Sequence, residues 1–103
     1  MTVREDTERI TLTVELYGVA HMAARERKVR IAVAPDATVR DAIAALADAC
    51  PRLVGKIISD DRSHFLVGYV FNHNAVTFLD ALDARLSPTP GDVLILMSSM
   101  AGG

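Results

Sequence analysis

At 103 residues, half of them apolar and 23% charged, the chain is long enough to close one hydrophobic core without disulfides or metal, and too apolar to stay disordered. A formal net charge of −2 lacks the basic field that holds phosphates, which argues against nucleic acid as the main partner. The single cysteine, Cys50, excludes an intrachain disulfide and the paired-cysteine metal motifs.

The apolar runs fall far short of the roughly 18 residues a membrane span needs, and "MTVREDTER" is charged where a secretory signal would be apolar, so a cytoplasmic protein with no membrane partner is expected. Residues 1–9 are polar and aperiodic and read as a frayed tail. From Ile10 the pattern changes. In "ITLTVELYG", Ile10, Leu12, Val14 and Leu16 alternate with Thr11, Thr13, Glu15 and Tyr17, the period of a half-buried strand that Gly18 ends. "VAHMAARER" is a connection of mixed character with room for a helical turn. "KVRIAVA" alternates again through Val29, Ile31 and Val33, and two strands this close in sequence pair antiparallel.

"PDATVRDAIAALADACP" carries the clearest helix signals. Thr38 is a suitable N-cap with Asp41 three residues later, a variant of the capping box in which both the hydrogen bonds and the charge suit the helix start. Val39, Ile43, Leu46 and Cys50 make one apolar stripe, and Pro51 closes the helix. Cys50 is then a small core hydrophobe, with no neighbour in sequence to activate its thiol. "RLVGKIISDDRSH" reads as a helical turn and an acidic loop. Asp36, Asp60 and Asp61 have no ordered ligand spacing, so no metal site is expected. A strand near Phe65 to Phe71, a turn at "NHN" with His73 as a surface residue at its tip, and a return strand at Ala75 to Phe78 follow. "DALDARL" reads as a short helical or 3-10 segment, and "SPTPGD" as a turn that launches the last strand.

That last strand, "VLILM", is apolar at every position, which fits a central strand with both faces against apolar surroundings. The expected fold is α+β: a mixed sheet of four to five strands over residues 10–97, with one main helix on one face. The chain offers no second long helix for the other face. An uncovered apolar patch there, with alternate residues such as Leu94 and Leu96, is therefore expected to be a partner-binding surface. Residues 98–103 leave the central strand as an arm with a reach of roughly 20 Å. Its last residues, Gly102 and Gly103, have no side chains and fit a slot too narrow for any other residue. Chance would place two terminal glycines on roughly one chain in 200.

"TVELYG", "APDATVRDAIAALADACP", "TPGDVLIL" and the terminal "MAGG" together resemble the ubiquitin-like β-grasp sulfur carriers of the MoaD/ThiS type, over about Ile10 to Gly103, and most of all a MoaD-like molybdopterin synthase small subunit. The resemblance implies a carrier without catalytic residues, bound cofactor or metal. Its C-terminal carboxylate, on Gly103, would be adenylated by an ATP-using, ubiquitin-activating-type adenylyltransferase and converted by a sulfur donor to a thiocarboxylate. Gly102, Ala101 and Met100 would enter the active site of a sulfur-acceptor enzyme such as the molybdopterin synthase large subunit. Thiamine, cysteine or another thio-metabolite is the alternative destination for the sulfur. Two further readings stand beside the carrier: a ubiquitin-like modifier joined to lysine amines, and a plain interaction module. This chain departs from the family in reading "VFNHNAV" where many members have "VNG", in carrying Ser98, Ser99 and Met100 where proline is common, and in a longer stretch from Arg52 to His64.

Overall fold

A computed structural model describes residues 9–66, 68–79 and 81–98. Strand β1 (Ile10–Leu16) is followed by helix α1 (Val19–Ala24), strand β2 (Lys28–Val33), helix α2 (Val39–Ala49), a 3-10 turn (Pro51–Leu53), and strands β3 (Tyr69–His73), β4 (Thr77–Leu79) and β5 (Val93–Ser98). The strands form one sheet in the order β2-β1-β5-β3-β4. Only the β1–β5 pair is parallel. The last strand in sequence is thus the middle strand in space, as its unbroken apolar run implies.

The core lies between the sheet and α2. Leu12, Val14 and Leu16 of β1 and Val29, Ile31 and Val33 of β2 turn inward, and Val39, Ile43, Leu46 and Cys50 of the α2 stripe meet them. The start of α2 is satisfied twice over. Thr38 and Asp41 close a reciprocal capping box, with Asp41 N–H donating to Thr38 Oγ1 (3.3 Å) and Thr38 N–H to Asp41 Oδ2 (2.9 Å). The next two amides, those of Val39 and Arg40, donate to the carbonyls of Ala84 and Leu82 at 2.9 and 3.1 Å. Within the expected helical segment "DALDARL", residues 81–86 instead form a turn at Leu82–Asp83 and an isolated bridge from Arg85 to Thr38, which leaves these carbonyls available to α2.

The helical turn for which the β1–β2 connection has room is helix α1, whose Ala20 and Ala24 are buried. Two expectations shift. The third strand starts at Tyr69, not Phe65. Phe65 makes only an isolated bridge to Ile58 and sets its ring edge-on to Phe71, centroids 4.8 Å apart. The hairpin turn occupies Asn74–Val76, with Asn74 and Ala75 both left-handed at φ 54° and 64°, so the return strand begins at Thr77.

Candidate functional site

The start of β5 is held in a polar clamp. Thr89, Pro90, Gly91 and Asp92 make a turn in which Asp92 N–H donates to the Thr89 carbonyl at 3.0 Å, and φ of 91° at Gly91 is a conformation that favours glycine. The turn aims the Asp92 carboxylate at the end of β3. Its Oδ2 lies 2.9 Å from His73 Nε2 and accepts the Thr89 N–H at 2.9 Å, while Oδ1 accepts Asn74 Nδ2 at 3.1 Å. Asn74 completes the clamp: its Oδ1 accepts the Val93 N–H and its own N–H donates to the Val93 carbonyl, both at 2.8 Å. The hydrogen bonds to His73 first, then to Asn74 and Thr89, hold the Asp92 carboxyl below its ordinary pKa. His73 is therefore not a surface residue at a turn tip; its side chain is 21% exposed and packed into this clamp.

From this anchor β5 runs parallel to β1, so that Leu96 lies beside Leu16 and the strand ends at the Tyr17–Gly18 end of the sheet. Ser98 is the last residue of the strand. Met100, Ala101, Gly102 and Gly103 lie outside the described residues.

The register also decides which side chains β5 offers. Leu94 is level with Val14 and His73, and Leu96 with Leu16 and Phe71, which puts both leucines on the helix side at 0% exposure. The expectation that Leu94 and Leu96 form the partner-binding face is corrected here: they are core. Side chains alternate along a strand, so the outward set is Val93, Ile95 and Met97, all half-buried. Across the outer face one row reads Lys28, Glu15, Ile95, Asn72, Phe78, and the flanking rows add Arg30, Thr13 and Val93 on one side and Met97 and Val70 on the other. The face grades from charged at β2 to apolar at β5, β3 and β4. Phe78 is 58% exposed, whereas Asn72 is 7% exposed and its Oδ1 has no hydrogen-bond partner.

Away from this face, the acidic loop is a closed hydrogen-bonded turn. Ser59 Oγ and Ser63 Oγ donate to Asp61 Oδ1 at 2.6 and 2.7 Å, and the Ser63 N–H adds a third bond at 3.0 Å. These bonds lower the Asp61 pKa to about 2. Among the described residues no group of three or more His, Cys, Asp or Glu is placed to hold a metal ion, and no helix is long and apolar enough to cross a membrane. Cys50 is buried at the end of α2, and burial raises its pKa.

No protein-family model matches the chain, and no curated protein sequence does. Solved structures do. The crystal structure of small archaeal modifier protein 1 from Haloferax volcanii superposes with a TM-score of 0.72 at 30% identity, covering 90% of this chain and 99% of that one. The chain belongs to the ubiquitin-like β-grasp family that includes the small archaeal modifier proteins. A second crystal structure of the Haloferax protein agrees, with a TM-score of 0.72 at 28% identity over 88% of this chain and 99% of that one. The solution structure of small archaeal modifier protein 1 from Methanosarcina acetivorans shares the fold at 19% identity, with a TM-score of 0.67 over 93% of this chain and 99% of that one.

Proposed function

We propose that the chain is a sulfur carrier whose reactive group is the Gly103 carboxylate. The observation that carries this reading is positional. The middle strand of the sheet, paired on both sides and clamped at its start, ends at Ser98, and the small residues Ala101, Gly102 and Gly103 come three to five positions later in sequence. Such a strand is a rigid handle for a slim tip. A carboxylate is a poor electrophile, so a ubiquitin-activating-type adenylyltransferase first joins it to AMP from ATP with loss of pyrophosphate. Sulfide then displaces AMP and leaves a thiocarboxylate; with a persulfide donor the displacement leaves an acyl disulfide, which a second thiol of the donor cleaves to the same thiocarboxylate with formation of a disulfide. Gly102, Ala101 and Met100 carry that group into the acceptor enzyme, and the outer-face residues Val93, Ile95 and Met97 dock the body of the domain on its partners.

For the destination of the sulfur we favour molybdopterin synthesis, with the synthase large subunit as acceptor, on the resemblance of "TPGDVLIL" and "MAGG" to MoaD-like subunits. In cells lacking the chain, molybdenum-enzyme activity is expected to fall and to return with the full chain but not with one lacking Gly102 and Gly103. Undiminished molybdenum-enzyme activity would instead send the sulfur to thiamine, cysteine or another thio-metabolite. The names of the relatives favour a second reading, in which the same adenylated glycine is captured by lysine amines. Gly-Gly remnants on the lysines of other proteins would support it.

A further inference from the structure

We propose that Asn72 is the polar anchor of the outer sheet face, its Oδ1 taking a hydrogen bond from a single N–H or O–H donor set in an otherwise apolar surface of the activating enzyme. This rests on the reading that the outer face docks on that enzyme. Asn72 stands level with Ile95 on one side and Phe78 on the other, so its side chain shares the face opposite Phe71 and the core. It is more than nine-tenths buried, and its Oδ1 is the buried side-chain nitrogen or oxygen left without a partner among the described residues. Its burial costs folding free energy, because most buried polar groups are paired and an unpaired one forfeits its bonds to water and gains none in return.

Ser59, the other buried polar residue among the described residues, is treated in the ordinary way. Ser59 Oγ donates to Asp61 and accepts the N–H groups of Ser63 and His64. At Asn72 a leucine of similar size would pack between Ile95 and Phe78 at no such cost. The amide oxygen therefore waits for a donor that the free chain lacks. Phe78, exposed and directly level with Asn72, is the side chain whose transfer onto the partner opens the way to it.

Asn72→Leu tests this, with Ile95→Arg as the control for the face. The readouts are the melting temperature of the full chain and its Kd for the activating enzyme. The expected result is a higher melting temperature together with binding weakened roughly 10- to 100-fold, the loss that follows when a desolvated donor is left unpaired. The pairing of the two effects is diagnostic, since leucine on a purely apolar interface would dock as well as asparagine or better. Unchanged or tighter binding overturns the proposal. So does a lower melting temperature, which would make the amide a structural residue. If Ile95→Arg weakens binding and Asn72→Leu does not, the anchor fails while the docking face stands; if neither does, the docking face itself is wrong.

Discussion

Asp92 and Asp61 are the two carboxylates that this fold stabilises most visibly in their charged forms, one at the root of the central strand and one in the turn after Ser59. A carboxylate whose folded pKa lies below its unfolded one adds stability above the unfolded value, and that contribution disappears as the pH falls through the folded one. Both pKa values are lowered from 3.8, so the melting temperature should hold down to about that pH and then fall, with Asp61 titrating near 2. Asp92→Asn and Asp61→Asn should each lower the midpoint at neutral pH and flatten its acid dependence; melting curves recorded from neutral pH to pH 2 that keep the parent slope would contradict this. The same two sites mark the limit of what single residues disclose in a sequence. Thr38 and Asp41 are three positions apart and satisfy each other, so their capping box is legible from spacing alone. Asp92 meets His73 across 19 residues of chain, and that pairing exists only once β3 and β5 have found their register.

At the scale of elements, periodicity located β1, β2 and α2, because one face of each is buried and the other is not. It failed at β5 for the opposite reason. An all-apolar strand carries no alternation, so nothing local says whether Leu94 and Leu96 or Ile95 and Met97 face the helix; pairing with β1 and β3 decides it. Phe65 misleads in a similar way, since an aromatic next to "LVGYVF" reads as strand although its ring belongs to the packing around Phe71. The parity of β5 has a measurable consequence. Leu96→Ala removes a fully buried side chain and should cost about 2–5 kcal/mol in urea unfolding, whereas Ile95→Ala, on the half-buried face, should cost about 1.5 kcal/mol or less. Equal losses would mean that the two faces have been exchanged. Thr38→Ala should cost about 1 kcal/mol through its lost cap bond, and a variant as stable as the parent would show that the carbonyls of Leu82 and Ala84 suffice to hold the helix start.

On the proposed function the whole molecule divides its labour between a body and a tip. Among the described residues the buried apolar side chains run from Leu12 to Leu96, and removing Gly102 and Gly103 should leave the melting temperature unchanged while abolishing transfer. A fall in the melting temperature would mean that the tip belongs to the body. The general architecture was legible because strand order, helix and turn chemistry all point to a β-grasp sheet with its last strand at the centre. The unpaired amide on the outer face was not, since Asn72 is identified as a misfit only by the absence of a partner for its Oδ1 among the described residues. The central claim is that the Gly103 carboxylate is the group another enzyme makes reactive. Mass spectrometry of the C-terminal peptide, taken from the chain isolated from sulfur-replete cells, tests it most directly. The account predicts a fraction in which one terminal oxygen of Gly103 is replaced by sulfur, and a C-terminus that stays wholly a carboxylate, with neither sulfur nor a lysine joined to Gly103, would contradict it.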